Sequence, residues 1–119
     1  MVWDNRVEVH LFNQPTDMRK SHDGLATLCE RILGRNPLSG QVFVFMNKRR
    51  DRIKALYWDG TGLCLLYKRL EKGNFTSLWH AQAPPTLSTM ELRLLLEGAQ
   101  LEGKLPLTPK AFVLKENSL

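Results

Sequence analysis

Ten cations in this chain are of the type and density that act together on a polyanion: Arg19, Lys20, Lys48, Arg49, Arg50, Arg52, Lys54, Lys68, Arg69 and Lys72. Guanidinium and ammonium groups neutralise phosphate, and the Tyr67 ring among them offers a surface on which a base can stack. Formal net charge is +5, from 17 Lys and Arg against 12 Asp and Glu. Between Arg19 and Lys72 the count is 12 basic to 5 acidic, a local net of +7, while the rest of the chain is net −2. Basicity confined to one stretch is the footprint of a polyanion-binding face, although a solvated Lys/Arg surface without a ligand gives the same count.

Residues for catalysis are sparse by comparison. His10, His22 and His80 stand far apart, and none has a metal-binding spacing such as HxxxH. No G-x-S-x-G, P-loop or GxGxxG motif is present; Asp59-Gly60-Thr61-Gly62 is too short for the last and reads as a turn. His22-Asp23 resembles an acid–base pair, but sequence neighbours rarely converge on one substrate and no nucleophile accompanies them. Asp17, Asp23, Asp51 and Asp59 are of the type used in two-metal sites, yet capping, turning and pairing with nearby arginines account for them more simply. Cys29 and Cys64 lack any CxxC-like spacing and read as buried free thiols. The expectation is a protein with no catalytic centre, metal or cofactor.

The chain is long enough, at 119 residues, for one domain that buries roughly two-thirds of its unfolded surface. Its composition, 43% hydrophobic and 24% charged, argues against wholesale disorder. No apolar run approaches the ~18 residues of a membrane span, and the N-terminus lacks the apolar core of a signal peptide. A cytoplasmic location is expected.

The elements that must position the cations lie mostly between Gln41 and Lys72. Gln41–Met46 carries apolar side chains on both faces, as in a strand covered on both sides. Asn47–Asp51 is a polar loop, Arg52–Asp59 is a second strand, Asp59–Gly62 a hairpin turn and Leu63–Leu70 a third strand. Placing Gly60 and Thr61 as the turn residues sets Trp58 opposite Leu63. Arg52, Lys54, Leu56 and Trp58 then share a face with Leu63, Leu65, Tyr67 and Arg69. A one-residue slip would scatter this set over both faces. Trp58 reads as ordinary core.

Around this meander, residues 1–6 read as a frayed end and Val7–Phe12 as a half-buried strand. Asn13–Thr16 reads as a turn, with Thr16 or Asp17 as cap of the next element. Leu25, Leu28, Cys29, Ile32 and Leu33 fall on one face of a helix that Gly34 ends and Pro37 prevents from resuming. Gly73–Thr76 reads as a short edge strand, and Leu78–Pro85 as a loop whose prolines stop any sheet. Ser88 and Glu91 have capping-box spacing at the start of a second helix that runs to Gly98, with Leu87 and Leu92 as its staple. From Gly103 onward an extended tail is expected.

Several of these blocks together resemble a known family. They are Thr16–Lys20, Asp23-Gly24-Leu25, Pro37–Gly40, Val42–Phe45, Arg49–Lys54, Tyr57–Gly62, Tyr67–Glu71 and Gly73-Asn74-Phe75, in the family's order. The family is the small TnpB (second-open-reading-frame-like) accessory protein of bacterial insertion sequences of the IS-sixty-six type. The match covers roughly residues 7–100, with 101–119 left as tail. The chain departs from the family's pattern at Ser21-His22, Asn36 and Leu38, and lacks its Trp-Pro pair near Leu78-Trp79-His80. The resemblance implies a protein encoded in a mobile element beside a larger transposase that holds the catalytic carboxylates.

The expected fold is a single α+β domain, an antiparallel sheet of four to five strands with two helices packed against it. The expected function is non-catalytic: an accessory factor in transposition that binds DNA, element ends or non-specific duplex, through the ten cations named above. The alternative is an adaptor that docks the transposase or another accessory protein by the same face or by the loop around Trp79, without touching DNA. A third reading is RNA binding through the strand face that bears Tyr67.

Overall fold

The protein is known here from a computed structural model that describes residues 3–77, 79 and 85–98. Its centre is the all-apolar strand Val42–Met46, β2, every residue of which is buried. Side chains alternate across a strand, so Phe43 and Phe45 point to one face of the sheet and Val42, Val44 and Met46 to the other. Both faces therefore need a cover, and each receives a helix.

Five strands surround this centre: β1 Val9–Pro15, β2, β3 Arg52–Trp58, β4 Leu63–Arg69 and β5 Thr86–Leu87, in the spatial order β4-β3-β2-β1-β5. The expected α+β architecture is present, and most pairings are antiparallel. The exception is β1 with β2, which run parallel in the register Val9↔Val42. A parallel neighbour requires a crossover, and the first helix lies in that connection.

One layer forms where α1, His22–Leu28, covers Phe12, Phe43, Phe45 and Leu56 with Leu25 and Cys29. The helix continues as a π-helical turn over Cys29–Leu33 and ends at Gly34, whose φ of +65° is left-handed and whose N–H reaches Cys29 O. The widened turn rotates the side chains after it, so Ile32, expected on the packed face, is 52% exposed. Neither Thr16 nor Asp17 caps this helix; Ser21 holds the cap position. The other layer is α2, Thr89–Leu96, which sets Leu92, Leu94 and Leu95 against Val9, Val44, Ile53 and Ala55. Its capping box is formed as expected: Glu91 N–H donates to Ser88 Oγ, and Ser88 N–H donates to the Glu91 carboxylate.

The β3–β4 hairpin has the expected register, with Trp58 opposite Leu63, Lys54 opposite Tyr67 and Arg52 opposite Arg69. Gly60 supplies a φ of +104°, and the Asp59 carboxylate accepts the N–H groups of Thr61 and Gly62. These bonds, the Thr61 N–H first, pull the Asp59 carboxyl from 3.8 to about 2. A group depressed in the fold stabilises it above its unfolded pKa, and that contribution is lost as pH falls through the folded value. Thermal melts should therefore show Asp59→Asn below wild type at neutral pH, with the gap closing between pH 4 and pH 2. A gap that stays constant across that window would contradict preferential ionisation of this turn.

Other expectations are corrected. Strand β1 begins at Val9 and runs on to Pro15, which pairs with Met46 after an irregularity, so Asn13–Pro15 is not a turn. Nor is it half-buried at its start: Val9 to Phe12 are all buried, His10 included. Residues 73–76 form no edge strand, because Phe75 N–H goes to Arg50 O and the Asn74 amide to Arg49 O. The short edge is β5 instead, directly after Pro85, whose carbonyl accepts Leu11 N–H. Trp3 is not frayed; it packs edge-on against Tyr57 at 5.4 Å. Both thiols are free, but Cys64 is only half-buried. The expected tail, and Leu78, His80 and Pro84 of the expected loop, lie outside the described residues.

Candidate nucleic-acid interface

Helix α1 covers only part of its face of the sheet. Beyond its first turn the same face continues with Arg52, Lys54, Tyr67 and Arg69, flanked by the segment 16–20 on one side and the loop 47–51 on the other. Between them lies an open cleft of ≈ 470 Å³. Lys48, Arg49, Arg52 and Arg19 line it, with Tyr67 and Thr16.

Asn47 organises the basic loop. Its side-chain oxygen accepts the N–H groups of Asp51 and Arg52, and its amide donates to the Asp51 carboxylate at 2.7 Å. Arg50 takes a left-handed φ of +60° to close the turn, its N–H bonding to Asn47 O. The bond to Asn47 is the leading reason that the Asp51 carboxyl lies below its usual range. The loop is thus a fixed turn that leaves Lys48 and Arg49 exposed, with no ion pair among the described residues.

The opposite wall hangs from Lys54. This side chain is only 7% exposed, and its ammonium donates to the carbonyls of Met18 and Lys20, both at 2.7 Å. It also sits 4.8 Å from the centre of the Tyr67 ring. Lys54 is therefore a strut under the cleft and not a free phosphate contact. On the segment it holds, Arg19 forms a fork with the Asp17 carboxylate, closest at 2.7 Å. That bond is the chief reason the Asp17 carboxyl falls to about 2.

The ten cations therefore divide. Lys48, Arg49 and Arg52 line the cleft and form no ion pair among the described residues, although the Asp51 carboxylate feels the charge of Arg49 and Arg52, and Arg19 lines it already paired. Arg69 lies opposite Arg52 but is bonded to Glu71 at 2.8 Å. Lys20 is exposed beside Arg19, its stem against Gly24. Lys72 is exposed beyond the end of β4 and lines no part of the cleft. Two others turn away: Lys68 faces the α2 layer and donates to Leu96 O at 2.5 Å, and Arg50 donates to Phe75 O. The sequence reading missed Thr16 and Asn47 as parts of the site; the Asn before a short polar run, a common turn signal, was the available clue to the second.

No group of three or more His, Cys, Asp and Glu among the described residues is arranged to hold a metal ion, so Asp17, Asp23, Asp51 and Asp59 do not converge. Also among the described residues, no helix is long and apolar enough to cross a membrane.

The family model for the IS66 Orf2-like protein, TnpB, matches residues 7–105. The chain belongs to this family. Among curated proteins it is similar to y4jC of Sinorhizobium fredii, 36% identical over 92 residues that make up 77% of this chain and 79% of the relative. It is also similar to y4hO of the same organism, 35% identical over 92 residues, 77% and 80% of the two chains. No solved structure matches. The IS66 Orf2-like proteins are accessory proteins of insertion elements, associated with transposition, and are not a known catalytic family.

Proposed function

We propose that this IS66 Orf2-like protein is a non-catalytic transposition factor that binds DNA through the cationic cleft. The observation that carries this reading is the convergence of Lys48, Arg49 and Arg52 on one concavity, where Asp51 is the carboxylate that Arg49 and Arg52 feel and none of the three is in an ion pair among the described residues. Arg19, Lys20 and Arg69 lie around it as further contacts. Among the described residues no helix is offered to a groove: α1 turns its apolar side to the sheet and α2 packs on the sheet's other face. Binding should therefore be dominated by phosphate, steeply salt-dependent and weakly selective among sequences.

A salt-titrated gel shift comparing element ends with random duplex tests this directly. With about three to five phosphates neutralised, log K should fall against log salt with a slope of about −3 to −4.5. The double charge reversal Lys48→Glu with Arg49→Glu, in an exposed loop, should leave the fold intact and weaken binding at least about tenfold at low salt. Undiminished binding would remove the cleft from consideration. The docking alternative keeps one observation in its favour: Asp17 and Glu71 already neutralise Arg19 and Arg69. If no DNA binds at about 50 mM salt, where phosphate contacts are strong, and the transposase co-purifies, the protein is an adaptor.

A further inference from the structure

We propose that the cleft takes an unpaired nucleotide of single-stranded DNA, its phosphate on Lys48, Arg49 and Arg52 and its base stacked on Tyr67; this rests on the DNA-binding reading above. The first support is the state of Tyr67. The ring stands at the edge of the sheet, 53% exposed, and lines the cleft. Lys54 sits 4.8 Å from its centroid, and that ammonium is itself anchored to two backbone carbonyls. The ammonium thus holds the ring and covers one of its faces, and the exposed remainder is left to a flat partner. An exposed tyrosine between arginines is the arrangement by which a single strand is held without sequence preference, bases on rings and phosphates on cations.

The second support is a pair of polar atoms at the same place. Thr16 is only 5% exposed, lines the cleft, and its hydroxyl has no hydrogen-bond partner. Arg52 Nε, on the sheet face beside it, is likewise buried without a partner. Of five buried side-chain polar atoms without a partner among the described residues, these two meet on one concavity, and both can donate. An oxygen-bearing ligand such as a phosphate is the acceptor that would satisfy them.

The form of the ligand depends on where these groups sit. In a duplex the faces of the bases are stacked inside the helix, so Tyr67, on the floor of the cleft, would have nothing to receive. Rim cations would meet duplex phosphates, but Thr16 and Tyr67 would be idle. A cleft of ≈ 470 Å³ has the scale of a single nucleotide. Asp17, paired with Arg19, limits the anionic capacity of one wall, which favours one phosphate at the centre over a tract of them.

The test is fluorescence anisotropy with labelled oligo-dT, oligo-rU and a duplex of equal length, using the full chain and its variants at Tyr67 and Thr16. Wild type should bind oligo-dT more tightly than duplex at equal salt. Tyr67→Leu keeps an apolar strand residue at an exposed position and should cost oligo-dT about tenfold or more in affinity while leaving duplex binding within about twofold; Tyr67→Trp should restore it. Thr16→Val, which keeps the shape and removes the hydroxyl, should weaken oligo-dT more than duplex. In a strand carrying 2-aminopurine, fluorescence should be quenched on binding to wild type and not to Tyr67→Leu. Equal losses for single strand and duplex, or no loss in either, would overturn single-strand capture while leaving DNA binding standing. A stronger hold on oligo-rU than on oligo-dT would overturn the assignment to DNA. Failure to bind any of the three would remove both the inference and the function on which it rests.

Discussion

Phe43→Ala is expected to destabilise the fold by about 3–5 kcal/mol, a large share of the ~5–15 kcal/mol typical of a domain this size. Phe43 is fully buried at the middle of the central strand. It stacks on His10 at 5.4 Å, sits opposite Leu56 on β3, and packs in the cluster that α1 covers with Leu25 and Cys29. Truncation opens a cavity between two rigid layers, and a strand bonded on both sides cannot move to fill it. Urea denaturation should show a lower midpoint with an unchanged slope. Phe43 pairs with Leu56 and lines no part of the cationic cleft, so whatever fraction stays folded should bind DNA with the affinity of wild type. A loss below about 1.5 kcal/mol would mean that α1 settles onto the sheet and that this layer is softer than its burial suggests.

The parts of this fold that rest on a local rule were legible in the sequence. The hairpin register came from Asp59-Gly60-Thr61-Gly62 and the period-two pattern, and it placed Arg52, Lys54, Tyr67 and Arg69 on one face as observed. The capping box at Ser88 and the left-handed stop at Gly34 are equally local. What the sequence could not give was the identity of distant partners. Nothing in Val9–Phe12 says that its neighbour is parallel, and His10 reads as an outward polar residue until Gln41 and Phe43 are seen against it. The π-helical turn that exposes Ile32 depends on tertiary fit, not on spacing.

The same limit applied to the cations. Counting charges treated all ten as equivalent, yet the partners of Lys54, Lys68 and Arg50 are backbone carbonyls at Met18, Lys20, Leu96 and Phe75. Such acceptors carry no signature, because every residue has a carbonyl. Local net charge located the basic stretch, but only the packing separated cations that face the cleft from those that hold the fold together.

That separation gives Lys54→Met its expected outcome: a loss on the order of 2–4 kcal/mol in stability, and weaker nucleic-acid binding although Lys54 reaches no phosphate. The substitution keeps the apolar stem that lies between sheet and segment and removes the charged donor. Two charge-assisted bonds to backbone carbonyls disappear, each ~1.5–3 kcal/mol, and part of that is recovered when the carbonyls meet water. The contact with Tyr67 is lost as well. Without the strut, the Met18–Lys20 segment is free to leave the sheet and Arg19 goes with it, while Thr16 stays bonded to Met46 O. Affinity for DNA should then fall together with order in this wall, visible as faster amide exchange at residues 17–20 while β2 stays protected. Lys54→Arg is the informative companion, because it keeps the charge but sets a planar fork where a compact ammonium serves two carbonyls. If Lys54 contributed only its charge, Lys54→Arg would match wild type in binding and stability. If it is the strut that its bonds indicate, Lys54→Arg should lose stability as well, with the net charge of the cleft unchanged.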